Sequence, residues 1–238
     1  MMRNMLGFLI TIGLLLPSHA QKMTTVQELL AAAIKATGGE EAWRGIKVME
    51  LQQEADGGQL GNGVISITAR YPGYYRYEYR HRERDFLLQG LFVPGKAPVS
   101  WIVMDGQERE NRPPNARSNL FASEEMNMLY DSSWQFKPLR TEMREGKSYY
   151  VLEGRYKDIL QKRYYSPESF LPERMEQETS DGVKSVSLYS DFRQTEGLTR
   201  PWRVQREVED PQFGNSRSEE RLVSLKYNGA IGEEFFVR

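Results

Sequence analysis

Side chains that could carry acid–base, nucleophilic or metal chemistry are few and poorly spaced in this sequence. There is no cysteine, and His81 is the single histidine after the first twenty residues. A catalytic zinc site needs three protein ligands, usually histidines, while disulfides and thiolate metal sites need cysteine. We therefore expect no metal, no cofactor and no catalytic triad, and we expect His81 to be an ordinary surface side chain.

Carboxylates are the remaining candidates for catalysis, since the chain has 33 Asp and Glu residues. The adjacent pairs Glu40-Glu41, Glu219-Glu220 and Glu233-Glu234 are interpreted as solvated charge, because neighbouring side chains point in different directions from a helix or strand. A glycosidase can use two acids that lie far apart in the chain and roughly 5–10 Å apart in space. A hydrolase of that kind stays open as an alternative; otherwise the chain is predicted not to be an enzyme.

Composition excludes two broad classes of protein. The 238 residues include 32 Lys and Arg, for a net charge of -1, and a nucleic-acid-binding protein would normally have a basic surplus. The 27% charged and 11% aromatic content is typical of a folded chain rather than a disordered one. We expect no nucleic-acid partner.

The first twenty residues have the pattern of an export signal. Arg3 precedes an apolar stretch over 6–16, Pro17 ends it, and Ser18-His19-Ala20 places small residues where a signal peptidase cleaves. We therefore expect residues 1–20 to be a signal peptide removed after Ala20, and residues 21–238 to work outside the cytoplasm. No lipid anchor is expected, because such an anchor needs a cysteine at the cleavage point.

The elements that would position any site are mainly strands. Thr25 and Glu28 form a capping-box pattern, and Gly38-Gly39 ends the predicted helix over 26–37. A shorter helix is predicted around 123–131. From Ile46 the apolar period is two, which predicts about ten or eleven antiparallel strands, with 107–119 as a loop. The predicted fold class is α+β, mainly β: a single strongly curved antiparallel sheet, a half-barrel with helices covering the concave side. Residues 21–238 are predicted to form one domain.

Apolar and aromatic residues on these strands and on the second helix are the most informative part of the sequence. A strongly curved sheet with two short helices would leave some of them unpacked, around a cavity that could hold acyl chains. Ordinary core packing under the helices stays the alternative for each residue. The cavity candidates are Ile65, Ile67, Tyr75, Tyr77, Tyr79, Phe86, Leu88, Trp101, Val103, Met126, Leu129, Tyr130, Trp202 and Val204.

Several segments, in the same order, resemble those of LolA-like outer-membrane lipoprotein-sorting proteins. They are the helix and double glycine over 28–46, Tyr71-Pro72-Gly73 with the strand to Glu78, Met104-Asp105-Gly106, the turn over 164–172, and Ser190-Asp191-Phe192-Arg193 with the hairpin to Trp202. The resemblance implies a half-barrel capped by helices, with a hydrophobic cavity that shelters lipid. No individual cargo-gating residue of that family has a match here.

The leading functional hypothesis is a periplasmic carrier of acyl lipid or lipoprotein, with a membrane protein as donor or acceptor and no catalysis. The alternative is an envelope lipid-sensing or protein-interaction module that docks on a membrane partner. An exposed apolar patch would favour the second hypothesis, and an unfilled apolar space would favour the first.

Overall fold

The computed structural model describes residues 23–111 and 121–237. The predicted signal peptide, residues 1–20, and its cleavage after Ala20 lie outside the described residues. Among the described residues, none of the helices has the length and apolar character needed to cross a membrane.

Local signals place the three α-helices found among residues 23–111 and 121–237. Helix α1 spans Val26–Ala36, and its capping box is present: the Thr25 hydroxyl accepts from the Glu28 amide at 3.1 Å, and the Glu28 carboxylate accepts from the Thr25 amide at 3.0 Å. Gly38 follows with φ 119°, and a Cβ there would lie 2.4 Å from the Gly197 carbonyl oxygen, so only glycine fits. Helix α2 spans Glu40–Gly45, and α3 spans Glu124–Tyr130.

Fourteen strands are present in the described part of the chain, more than the ten or eleven predicted. They are Val48–Gly57 (β1), Gly63–Arg70 (β2), Tyr74–His81 (β3), Phe86–Phe92 (β4), Val99–Met104 (β5), Gln107–Asn111 (β6), Trp134–Phe136 (β7), Arg140–Arg144 (β8), Lys147–Tyr156 (β9), Ile159–Tyr165 (β10), Pro172–Thr179 (β11), Lys184–Thr195 (β12), Leu198–Asp210 (β13) and Gly214–Tyr227 (β14). A 3-10 helix, Glu233–Phe236, follows.

The three strands missing from the prediction are β6, β7 and β8. Residues 107–111 were predicted to be part of a loop because they are polar, but they pair with β5 as an edge strand. Charged side chains are common on edge strands, where they discourage pairing with another chain. Strands β7 and β8 both pair with β9, and both are too short to show a clear alternation.

All the strands belong to one antiparallel sheet with the order β6-β5-β4-β3-β2-β1-β14-β13-β12-β11-β10-β9-β7, and β8 pairs with β9 off this path. The sheet therefore consists of two meanders, β1–β6 and β7–β14, joined through the pair β1–β14. The sheet is curved and is not closed into a barrel, which confirms the predicted fold class.

Helix α1 packs on both meanders at once. Ile34 belongs to a core cluster with Met49 of β1 and Leu225 of β14, whereas Leu30 belongs to a second cluster with Tyr165 of β10. Strands β14 and β10 are four positions apart, roughly 19 Å in a flat sheet, but Leu30 and Ile34 are only about 6 Å apart along the helix. Such contacts are expected when a sheet bends around its helix. We call the face that α1 and α3 cover the inner face.

Candidate functional site

The inner face of β2 to β5 carries a continuous set of apolar side chains. Register places Ile65 opposite Tyr79 and Ile67 opposite Tyr77. On the next pairs, Leu88 faces Tyr79 on one side and Ile102 on the other. We call this surface the apolar wall; it consists of Ile65, Ile67, Tyr75, Tyr77, Tyr79, Phe86, Leu88, Phe92, Ile102 and Met104. Seven of the predicted residues therefore belong to the apolar wall.

The helices cover only one end of the apolar wall. Among its residues, Ile67 and Tyr75 pack against the core cluster that contains Ala69 and Met126. Most of the others are half-buried, and Met104 is 45% exposed. Apolar strand faces are normally packed under helices, so a half-buried row of this length provides surface that a ligand could cover.

Tyr79 and Gly63 shape the end of the wall that is farther from the helices. The Tyr79 hydroxyl donates to the carbonyl oxygens of Leu60 and Gly61 at 3.0 and 3.1 Å, and the side chain is 1% exposed. Its ring lies directly over Gly63, where a Cβ would be 2.4 Å from the ring. Burial raises the pKa of Tyr79, so the hydroxyl stays a neutral donor. The Phe86 ring meets it edge-on, at 6.1 Å between centroids.

His81, the next inward residue of β3, is buried at 8% exposure, so the prediction of a surface side chain was wrong. Its Nδ1 accepts hydrogen bonds from the backbone amides of Glu83 and Arg84 at 3.0 and 3.2 Å. The side chain therefore organises the turn between β3 and β4.

Trp101 and Val103 do not join the wall, so the prediction that they share its surface was wrong. In β5 they pair with Gln89 and Leu87, on the opposite face. There they pack with Leu91 and with Phe236 of the 3-10 helix. Both faces of β5 are apolar, so alternation alone could not choose between them. Ile102 and Met104 were missed for the same reason. One sequence feature could have indicated that Trp101 and Val103 face outward: the apolar segment at 235–236, which covers the outer face.

Trp202 and Val204 are on the inner face but in the other meander. Val204 pairs with Glu220 of β14, and Glu220 accepts a hydrogen bond from Gln53 of β1 at 2.8 Å. Polar groups therefore separate these two residues from the apolar wall. The predicted set forms two separate surfaces rather than one.

The three predicted residues of α3 have three different environments. Met126 is buried in the core cluster with Met49, and Leu129 is half-buried between the two clusters of the inner face. Tyr130 is 57% exposed, and its hydroxyl donates to the Glu40 carboxylate at 2.6 Å. Only Leu129 and Tyr130 therefore retain surface for a ligand.

A buried ion pair fixes α3 to the second meander. Arg163 of β10 lies on the inner face, and its Nη1 is 3.1 Å from the Glu125 carboxylate; both side chains are 5% exposed. The Tyr165 hydroxyl donates to the same carboxylate at 3.2 Å. Burial raises the pKa of Glu125, while the hydrogen bond from Tyr165 opposes that shift.

Two clefts lie outside the wall. One, of about 460 Å³, is bordered by α2, the end of β2 and α3, and has Arg44 and Lys47 above Ile46 and Met126. The other, of about 420 Å³, lies beside β11 and β12, with acidic and basic side chains in equal number, among them Arg174 and Asp191. The second cleft has no charge preference for a ligand.

Two carboxylates of the second meander, Glu142 and Glu153, do not resemble general acids. Hydrogen bonds from Lys162 and Lys137 lower the pKa values of Glu142 and Glu153, whereas a general acid needs a raised pKa. No cluster of three or more potential metal ligands occurs within residues 23–111 and 121–237.

Known structures share this architecture. The sequence matches no family model and no curated protein. A domain named as an outer membrane lipoprotein-sorting protein, from Vibrio parahaemolyticus, superposes with a TM-score of 0.52 at 14% identity, over 89% of this chain and 97% of that one. This chain has the LolA-type fold. A LolA superfamily protein from Nitrosomonas europaea gives a TM-score of 0.53, also at 14% identity, over 91% of this chain and 99% of that one. The part of this chain that superposes on these structures thus includes both meanders of the sheet.

Proposed function

We propose that this protein is a periplasmic carrier that shelters acyl chains of a lipid or lipoprotein against the apolar wall, without catalysis or a cofactor. The supporting observation is the half-buried row of apolar side chains from Ile65 to Met104, which α1 and α3 cover at one end only. A membrane protein would deliver or receive the cargo. The export-signal pattern predicted for residues 1–20 and the likeness to a lipoprotein-sorting domain also support this proposal.

Burial of methylene groups is sufficient for such a role. Each methylene transferred from water contributes about 0.8 kcal/mol, so a dozen contribute on the order of 10 kcal/mol before the cost of association. The wall offers aliphatic and aromatic carbon with few polar atoms, so a chain can be buried there without desolvating unpaired groups.

A matched pair of leucine variants tests the site. Leu88→Glu places a charge in the middle of the wall, whereas Leu188→Glu makes the same change on the outer face, where the leucine is 39% exposed. Native mass spectrometry of protein purified from an envelope fraction would detect co-purifying acyl lipid, and a fluorescent fatty acid would report uptake. We expect wild type and Leu188→Glu to carry lipid and Leu88→Glu to lose it. An empty wild-type protein that takes up no fatty acid contradicts the carrier function.

A second candidate is a protein-interaction module that docks on a membrane partner. Apolar side chains on the outer side favour it: Val99, Phe235 and Val237 are 38%, 42% and 59% exposed. Val237→Glu should leave fatty-acid uptake unchanged and abolish co-purification of a membrane protein. If wild type carries no lipid and retains such a partner, this function replaces the first.

A further inference from the structure

Three buried hydrogen-bond donors without partners lie in one region of the inner face. Within residues 23–111 and 121–237, five buried side-chain atoms have no hydrogen bond. Two of them, in Arg70 and Arg144, belong to ion pairs with nearby glutamates. The other three are Arg200 Nε, Trp202 Nε1 and Tyr227 Oη, which we call the donor cluster. Buried donors are nearly always paired, so three unpaired ones together call for an explanation.

The cluster is organised around the Arg200 side chain. Its guanidinium carbon lies 4.7 Å from the centroid of the Trp43 ring and 5.9 Å from that of Tyr227. Trp202 is two residues further along β13 and therefore points to the same face. Trp43 is in turn held by a hydrogen bond from its Nε1 to the Thr37 hydroxyl, at 3.1 Å. The cation is thus pre-positioned between two rings.

Arg200 differs from the other inward-facing arginines because it has no carboxylate. Arg163 pairs with Glu125 at 3.1 Å, and Arg206 pairs with Glu220 at 3.6 Å. No ion pair involves Arg200 in the part of the chain that the structure describes, and the Glu196 carboxylate accepts from the backbone amide of Tyr227. Burial lowers the pKa of Arg200, and no carboxylate of the described residues pairs with its charge to offset the cost of burial.

We propose that the donor cluster is a subsite for an oxyanion, the carboxylate or phosphate group of an acyl amphiphile. Carboxylate and phosphate oxygens accept from a guanidinium in a fixed geometry, and the indole and phenol donors would complete the shell. The core cluster that contains Trp43 and Tyr227 also packs against Ile67 and Tyr75, so a chain attached at this subsite would reach the apolar wall. This subsite deepens the proposed carrier function and depends on it for the nature of the ligand.

Titration calorimetry with three probes tests the subsite: dodecyl phosphate, dodecanol and inorganic phosphate. Arg200→Gln should weaken dodecyl phosphate binding roughly 10- to 100-fold, because a hydrogen bond to a charged group is lost. Tyr227→Phe should weaken it roughly 2- to 10-fold while the melting temperature of the free protein stays the same or rises, because the hydroxyl has no partner to lose. Dodecanol binding should not change in either variant. Arg203→Gln, an exposed arginine on the same strand, is the matched control.

The outcomes separate the subsite from the carrier function. If dodecanol and dodecyl phosphate bind wild type with equal affinity, and neither Arg200→Gln nor Tyr227→Phe changes the affinity for dodecyl phosphate, the subsite is wrong and the carrier function stands. If only inorganic phosphate binds, and Arg200→Gln or Tyr227→Phe abolishes that binding, the subsite serves free phosphate and the carrier function is wrong. If no probe binds, both are wrong. Tyr227→Phe keeps the test valid even if Arg200→Gln fails to fold.

Discussion

The inner faces of the two meanders differ although they form one sheet. In the first meander, the strands from β2 to β5 present Ile67, Tyr77 and Leu88 in a row that contains few polar atoms. In the second, the inner face carries polar side chains bonded to one another: the Gln161 oxygen accepts from Arg163 at 2.9 Å. An acyl chain can cover the first surface without leaving a polar group unpaired, whereas covering the second would break existing hydrogen bonds. The polarity of the side chains, and not the curvature of the sheet alone, therefore decides which inner face an acyl chain can cover.

The helices are held differently by the two halves as well. The first meander contacts α3 through apolar packing around Met126. The second packs around Met128 and adds the buried pair Arg163–Glu125. The outer face of the second meander is charged: Tyr164 is fully buried beneath Lys162, Arg144 and Arg174, with the Lys162 ammonium 4.7 Å from its ring. The second meander thus supports α3, and the first provides the exposed apolar surface.

The largest effect is expected from breaking that support. Arg163→Ala leaves the Glu125 carboxylate buried without its cation, and removal of one partner of a buried pair costs about 3–5 kcal/mol. Urea denaturation should show that loss in the free energy of unfolding. Arg155→Ala, at an exposed position on β9, is the control and should change stability by less than about 0.5 kcal/mol. Equal stability of the two variants would mean that α3 does not depend on the second meander.

A smaller effect is expected at the far end of the wall. In Gly63→Ala the new Cβ would overlap the Tyr79 ring, and overpacking of this kind costs about 1–3 kcal/mol. Thermal unfolding should detect the loss, and Tyr79→Leu in the same chain should restore part of it. A Cβ at Gly45 meets nothing within 4 Å, so Gly45→Ala should not destabilise the protein. If Gly63→Ala does not lower the melting temperature, the Tyr79 ring can move enough to accept the new Cβ.

The smallest effect concerns charge on the outer face of the second meander. Hydrogen bonds from Arg203 and Gln205 lower the pKa of Glu219 from 4.5 to about 2. Because the folded value is below the unfolded one, Glu219 stabilises the protein above about pH 4.5, and this contribution disappears as the pH falls toward 2. Wild type should therefore lose more stability between pH 6 and pH 3 than Glu219→Gln, as measured by urea midpoints. If wild type and Glu219→Gln lose the same stability over this pH range, solvent fully screens the interaction of Glu219 with Arg203.

Much of the fold was predictable because its signals are local. The capping box at Thr25 and Glu28 and the glycine at 38 determine where α1 begins and ends. The alternation of Tyr75, Tyr77 and Tyr79 places these three side chains on one face of β3. The site was less predictable. Seven of the predicted residues form the apolar wall, but Trp101 and Val103 pack on the outer face because the pairing of β5 with β4 places them there.

By itself, the sequence determined the helix caps, the turns and the mainly β character, because those depend on hydrogen bonds and backbone conformations within a few residues. Only the tertiary structure decided which face of β5 is inward, how β1 joins β14, and that Trp43, Arg200 and Tyr227 meet. These depend on cross-strand register and sheet curvature, which bring together residues as far apart in the chain as Trp43 and Arg200. A single residue's slip in register would exchange the two faces of a strand, and no local pattern reports that choice.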